Sequence, residues 1–325
     1  MKLISKLFLL TSFSVIQSLA IAQTITDYPT KSIKFIVPYL PGGLGDSFAR
    51  AIGQGLGDRL GQPVIIENVP GASQAIGAEL AAKAQPDGHT LFMGTQSGMI
   101  FNTISRKTLP YDVIKDFTPI TLLFSSPLFL VAHPSVEANS LKELINLAKQ
   151  KPESLTIATI GEGTSTNLAA LMLETKAKIK FTHVPYKGSA TAITDVMSGT
   201  VNLMFEGGAS SLPFVKQGKL KAIAVTSDKR NEIAAPGIPT TGETISGYSI
   251  ETWFGIVGPA GMQASVVDKL NQQIKIIQQS QKIKDLAALY GADIVQSTPE
   301  QFGKRISNDL RDFSTIMREA GIKPQ

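Results

Sequence analysis

Short apolar runs alternate with helical patterns along almost the whole chain. Residues 33–37 read as a buried strand, and a helical pattern follows from Asp46 to about Leu60. Residues 63–67 are a second strand candidate, 68–72 a turn, and the alanine-rich stretch 76–83 a helix. Pro86-Asp87-Gly88 then turns the chain into a third strand, 90–94. This βαβαβ order predicts parallel strands joined by crossover helices. Residues 117–133 break the rhythm with nearly continuous apolar sequence, either two buried strands or one long strand crossing between two domains. A helix over 140–151 follows, with Ser140 as cap and Glu143 completing a capping box.

The opening pattern then recurs. Strand 155–159 leads to a glycine and hydroxyl loop, 161–167, and a helix from Leu168. Strand 179–184 leads to Pro185-Tyr186-Lys187-Gly188, and strand 201–205 to Glu206-Gly207-Gly208, each followed by a helix. Strand 221–226 closes the unit. Residues 236–247 are loop-like, 250–257 read as a second long strand suited to a return crossing, and 265–290 and 299–320 are helical. The prediction is a coarse duplication, two α/β units with glycine loops at strand ends.

Residues 37–50 hold the sharpest break in the pattern. Two prolines and three glycines end the first strand, Asp46 and Ser47 are good helix caps, and an amphipathic stretch begins at Phe48. Strand, glycine loop and helix start together suit an anion: loop amides are free, the helix dipole is positive there, and glycine lets a ligand approach. A tight turn without a ligand would use the same residues; recurrence of the loop type in the second unit favours binding.

Composition narrows the setting. The chain has 325 residues, room for one large domain or two ordinary ones. Its start carries Lys2 and Lys6, a short apolar stretch over 7–16, and Ala20-Ile21-Ala22. That is the pattern of a secretory leader cleaved after Ala22; the apolar stretch falls short of the roughly 20 residues of a membrane span. Loss of Lys2 and Lys6 lowers the formal charge from +5 to +3, with basic residues scattered, which suits small anions and gives no argument for nucleic acid. With no cysteine there is no disulfide, thiolate chemistry, cysteine–metal site or lipidated cysteine.

Catalytic motifs are missing. Gly94-Thr95-Gln96-Ser97-Gly98 and Gly71-Ala72-Ser73 do not have the spacing of a nucleophile elbow. His89, His133 and His183 lie far apart in sequence and read as structural or surface residues. No pair of His, Asp or Glu has metal-ligand spacing. The run Gly53-Gln54-Gly55-Leu56-Gly57 lacks the last glycine of a dinucleotide fingerprint and reads as a weakened helix end. Glu162 and Glu206 sit in loops that should face a cleft, as solvated loop acids or as a carboxylate pair. Lys187 is a ligand contact or an ordinary loop lysine, and Trp253 suits core or hinge packing.

Together these residues carry a family pattern. The chain resembles the substrate-binding proteins of tripartite tricarboxylate transporters, the Bug family, across its whole mature length. The matching stretches include Tyr28-Pro29-Thr30-Lys31-Ser32-Ile33, Val37-Pro38-Tyr39-Leu40-Pro41-Gly42-Gly43, Leu60-Gly61-Gln62-Pro63-Val64 and Pro86-Asp87-Gly88. Further matches are Leu109-Pro110-Tyr111-Asp112, Gly163-Thr164-Ser165 and Thr182-His183-Val184-Pro185-Tyr186-Lys187-Gly188. The resemblance implies a two-domain α/β periplasmic binding protein of the Venus flytrap type, each domain a mainly parallel sheet flanked by helices, with crossover strands at the hinge. Residues 23–124 and 249–325 would form one domain and 125–248 the other.

The resemblance also implies a monomer that closes over a small carboxylate (a di- or tricarboxylate, an acidic amino acid or an aromatic acid) without cofactor or metal, and delivers it to membrane subunits of the transporter. The implied grip uses Tyr39, Gly42, Gly43, Leu44, Gly45 and Asp46, the strand end Thr95, Gln96 and Ser97, then Gly163, Thr164, Ser165, Thr166 and Asn167, and finally Tyr186, Lys187, Gly188 and Glu206. Asp46 would cap the helix rather than meet the anion, or alternatively accept from a ligand amine, which would indicate an amino acid. Leu44-Gly45, Ser73-Gln74 and Glu206-Gly207 depart from the family pattern, the last in place of a common Asp-Asn. Alternatives are a periplasmic lyase or isomerase using Glu162 or Glu206, and a sensory receptor that presents its ligand to a partner such as a sensor kinase.

Overall fold

The computed structural model describes residues 28–160, 164–186, 188–231, 235–319 and 324. The chain begins as the hydrophobic pattern demands. Strands β1 (Ile33–Val37), β2 (Val64–Asn68) and β3 (Thr90–Thr95) alternate with helices α1 (Leu44–Leu60) and α2 (Ala75–Ala82). β1 lies between β2 and β3, parallel to both. A π-helical turn (Gln96–Phe101) and the short α3 (Asn102–Ser105) follow β3.

Next comes β4 (Phe117–Ala132), one unbroken strand of 16 residues, nearly all buried. This decides between the two readings of that apolar stretch. Its first part pairs with β9 (Glu251–Pro259) as far as Pro127. From Leu128 onward it pairs with β7 (Leu203–Gly207) on one edge and, from Phe129, with β8 (Lys221–Val225) on the other. β5 (Thr156–Thr159) runs parallel to both β7 and β6 (Thr182–Pro185). Helices α4 (Leu141–Gln150), α5 (Ser165–Ala177), α6 (Ser189–Ser198) and α7 (Gly208–Lys216) connect these strands. The expected α/β architecture, two mainly parallel sheets flanked by helices and joined by crossing strands, is therefore present. The strand order is β2-β1-β3-β9-β4-β7-β5-β6.

The last stretch returns to the first sheet with α8 (Ala264–Gln278), α9 (Gln281–Tyr290), the two-residue β10 (Asp293–Ile294) and α10 (Pro299–Glu319). The pattern over 265–290 reads as one helix; it is broken at Gln279 and Ser280, where α9 turns off. One core packs Phe48, Ile52 and Leu56 of α1 and Leu270 and Ile274 of α8 against the first sheet. A second runs from Phe92 through Trp253, Phe302 and Phe313 to Leu168 and Leu173 of α5, so it is continuous beneath both sheets. A third fills the space under α6 and α7.

Two local expectations are corrected. Helix α1 begins at Leu44 with Gly43 as its N-cap, so Asp46 lies inside the first turn and Ser47 is helical. The glycine run 53–57 is mid-helix. A Cβ on Gly53 would come within 2.9 Å of Ile66, and one on Gly55 within 2.8 Å of Ile277. These glycines let α1 lie close to β2 and α8, so the run is a packing device.

β4 needs help where its pairing with β9 shifts register, around Ile120 and Leu123. Side-chain amides from α8 fill the gap. Asn271 donates to the Ile120 and Ser297 carbonyls at 2.8 Å each, and Gln278 donates to those of Leu122, Leu123 and Val295. A buried carbonyl left without its donor costs about 1–3 kcal/mol. Asn271→Leu is therefore expected to lower the thermal midpoint by several degrees; an unchanged midpoint would contradict this role.

Candidate functional site

Strand direction locates the site. β3 and the first part of β4 point the same way, since both are antiparallel to β9. β5, β6, β7 and β8 point against β4. The carboxyl ends of both strand sets therefore meet where β4 changes sheets. Thr95 at the end of β3 pairs with Phe254, which pairs with Phe124. Gly207 at the end of β7 pairs with Leu128. In open α/β sheets ligands bind at the carboxyl ends of strands, and here two such edges face each other across Ser125–Leu128.

Helix starts crowd these edges. α1 starts from Gly43, the π-helical turn from Thr95, α5 from Thr164, α6 from Gly188 and α7 from Gly207. The first amides of a helix have no intrahelical acceptor and lie at its positive end. A Cβ placed on Gly42, Gly43, Gly188 or Gly207 would meet nothing within 4 Å. Open space thus adjoins the backbone on both jaws, and an anion there meets amides without side chains in the way.

The first jaw is held from below. Asp46 is buried, its Oδ2 accepting from the Gly42 amide and Arg50 Nε at 2.9 Å each, and its Oδ1 from Asn68 Nδ2 at 2.9 Å. Asn68 also donates to the Tyr39 carbonyl, and Arg50 to Asn68 Oδ1. Burial works to raise the Asp46 pKa, but the hydrogen bonds from Arg50, Gly42 and Asn68 outweigh it and hold the carboxyl below its ordinary value. Asp46 is occupied by the loop itself. The expectation that it serves the loop rather than the anion matches this geometry, though through Gly42 and Asn68 instead of a helix cap.

Tyr39 and Thr95 are joined in the same supporting layer. Gln74 Nε2 donates to the Tyr39 hydroxyl at 3.0 Å, and Thr95 Oγ1 donates to Gln74 Oε1 at 2.6 Å while accepting from the Gly98 amide at 3.0 Å. Burial pushes the Tyr39 hydroxyl up to about 12. Its ring lies over Gly45, where a Cβ would be 2.9 Å from it, and packs toward Phe254, which stacks on Phe124 and in turn on Phe48. Leu44 packs against the same core. Gly45 is thus shaped by Tyr39. Gln74 was missed by pattern reasoning, although it sits in a run of three left-handed residues, Ala72, Ser73 and Gln74. Such backbone is sparsely populated and often marks a site.

Gln96 turns to the other side, where its Nε2 donates to Asp309 Oδ2 at 3.2 Å. Trp253 Nε1 donates to the same oxygen at 2.7 Å, and Arg305 Nε to Oδ1 at 2.9 Å. Trp253 is therefore a buried core residue. Ser97 is half-buried in the π-helical turn. On the second jaw the Thr164 hydroxyl accepts from the Asn167 amide at 3.4 Å and lies 3.1 Å from Thr166 Oγ1. Ser165 opens α5. Tyr186 donates to Asp195 Oδ2 at 2.6 Å, and burial, that hydrogen bond and the Asp195 charge push the phenol up to about 12. Glu206 is buried, one residue before Gly207. The expectations on Gly163, Glu162 and Lys187, and on the leader and its cleavage after Ala22, lie outside the described residues.

The three histidines do not converge. His89 meets Tyr28, Thr30 and Asp87, His133 meets Ser135, and His183 meets Glu174. Among the described residues no three His, Asp or Glu side chains form a group that could hold a metal. No described helix is long and apolar enough to cross a membrane.

Behind the crossing lies a buried polar cluster that the sequence did not reveal. Glu251, opposite Pro127, accepts from the Asp228 amide at 3.0 Å. Asp293, opposite Ser125, is bonded by the Asn231 side chain. Burial, then the Glu251 charge, push Asp293 up to about 6.

These contacts make three predictions. Asp46→Ala removes three hydrogen bonds to a charged group and is expected to cost about 2–3 kcal/mol, read as a lower thermal midpoint; an unchanged midpoint contradicts the support role. Gly45→Ala pushes on Tyr39 and is expected to cost about 1–3 kcal/mol; a neutral result by the same assay would show that the ring yields freely. For Asp293 the folded pKa is raised, so its contribution is full below the unfolded value near 3.9 and is lost as pH rises through about 6. Asp293→Asn should therefore gain stability relative to the parent at pH 8 compared with pH 4, measured by denaturant titration. A difference independent of pH would contradict the shift.

Comparison with known proteins gives the same picture from another side. Residues 48–322 match the model of the tripartite tricarboxylate transporter family receptor. Protein BugT of Bordetella pertussis is 32% identical over 300 residues, 91% of each chain. A solute-binding protein from Polaromonas, solved with no ligand, superposes with a TM-score of 0.82 at 28% identity, covering 90% of this chain and 99% of that one. An R. palustris protein solved with adipate gives 0.72 at 29% identity, covering 92% and 100%.

Proposed function

Because the chain belongs to the tripartite tricarboxylate transporter family of receptors, we propose that it captures a small carboxylate in the periplasm by hinge closure and delivers it to the membrane subunits of such a transporter. Members of this family are periplasmic receptors, and the carboxylate class follows the adipate-bound relative. The leader, with cleavage after Ala22, would export the chain.

One observation carries the reading: two carboxyl edges, each with helix starts and open glycine backbone, face each other across β4. We divide the chain into lobes at the crossing, with 23–124 and 249–325 on one side and 125–248 on the other. The ligand carboxylates would take backbone amides left free within residues 42–45 and 95–97 on the first lobe and within 163–167 and 186–188 on the second, those of Gly42, Asn167 and Tyr186 being engaged inside the chain. Tyr39, Asp46 and Thr95 serve this grip by holding loops in place. The better superposition on the unliganded relative than on the adipate-bound one, at nearly equal identity, supports an open arrangement that ligand would close.

The test is a thermal-shift screen of carboxylates followed by calorimetry on hits. A true ligand at about 100 times its Kd stabilises by about 2.7 kcal/mol, so a clear rise in midpoint with one-to-one binding and no product is expected. Absence of stabilisation by any carboxylate would overturn the reading, and turnover of a bound acid would replace it with an enzyme. Co-purification of the receptor with the membrane subunits tests delivery.

A further inference from the structure

Among the described residues one buried carboxylate oxygen, Oε2 of Glu206, has no hydrogen-bond partner. Asp46, Glu174 and Asp309 each have both oxygens engaged. Glu206 does not. Its Oε1 accepts from the amide of its neighbour Gly207 at 2.9 Å, whereas Oε2, among the described residues, is buried with no hydrogen-bond partner. The residue is 6% exposed, so water does not satisfy it freely. A buried carboxyl oxygen left this way costs more than a neutral one, and it calls for a partner from outside the chain.

Its place shows what could use it. Glu206 pairs with Phe129, one step beyond the Leu128–Gly207 pair at the crossing. Gly207 beside it, and Gly188 on the next strand end but one, border open space. Glu206 is therefore at the carboxyl edge of the second jaw, beside glycines whose backbone borders the space in which a ligand is read above to sit. That edge otherwise offers amides, which suit anions. Glu206 offers the opposite, an acceptor, and a second carboxylate brought against it is repelled.

We infer that Glu206 selects acids whose carbon chain carries a hydrogen-bond donor, an ammonium or a hydroxyl group, over plain dicarboxylates. The inference rests on the carboxylate-capture reading and specifies its ligand. The donor would take the place of the missing partner at Oε2, while the same charge penalises an acid with nothing to donate. Selection by attraction to one ligand and repulsion of its rival is the economical way to separate close analogues.

Matched acids test this. Calorimetry on the full mature chain would compare aspartate, malate and succinate, which differ only in carrying an ammonium, a hydroxyl or neither, and the five-carbon set glutamate, 2-hydroxyglutarate and glutarate. The expected result is that one donor-bearing acid binds at least about tenfold tighter than its plain counterpart. Glu206→Gln should then weaken an ammonium acid by about 10- to 100-fold, a hydroxy acid less, and leave the plain acid equal or tighter. The ligand-free variant should melt no lower than the parent, which separates selection from folding. Plain acids that bind as tightly as donor-bearing ones, or a ratio untouched by Glu206→Gln, would overturn this inference alone. If no carboxylate binds in these sets or in the wider screen, the capture reading falls and the inference with it.

Discussion

The pairing of β4 with partners in both sheets is the constraint on which the rest of the structure depends. A single strand that is hydrogen-bonded to β9 up to Pro127 and to β7 and β8 beyond it cannot leave its polar backbone exposed at the crossing. Its direction then dictates the geometry of everything attached. The strands of the first sheet must end, and those of the second must also end, beside the same few residues. The meeting of the two carboxyl edges is thus a consequence of topology before any side chain is considered. Side-chain amides from α8 and the carboxyl of Glu251 bond backbone groups around the crossing, where regular ladders fail.

The two jaws solve one problem with unequal means. The first is rigid. Asp46, Asn68 and Arg50 hold the glycine loop from beneath, and Gln74 ties Tyr39 to Thr95. A loop fixed in advance does not spend ligand affinity on ordering itself. Charge is placed with care: the acid nearest the first loop is fully engaged by donors, so it does not repel an incoming carboxylate. On the second jaw Glu206 has one oxygen engaged and the other without a partner, an asymmetry by which an acid with an internal donor would be oriented.

Much of this was legible in the sequence because hydrophobic periodicity and glycine loops are local signals. The βαβ order, the long apolar strand, the paired strand-end loops and the cap at Ser140 are all written in neighbouring residues; the reading of 161–167 as loop missed the Thr164 cap and the first turn of α5. What was misread depended on distant partners. Asp46 looks like a helix cap because its helix start cannot be told from Leu44-Gly45 alone; Asn68 and the Gly42 amide decide its role. Gly53 and Gly55 look like a frayed end because Ile66 and Ile277 are far away in sequence. β10 is two residues long and exists only because β4 offers it an edge. The Gln96–Asp309–Trp253 contact joins residues more than 50 positions apart, beyond any pattern.

Closure is the central claim, and the absence of native cysteine makes it directly measurable. Cysteines placed at Ile76 near the start of α2 and Thr191 near the start of α6, both exposed, would carry spin labels on the two facing edges. Pulsed electron resonance then reports the distance between them with and without a bound carboxylate. The account predicts a shift to a shorter and narrower distance distribution on binding. An unchanged distribution, in a sample that calorimetry shows to be saturated, would contradict it.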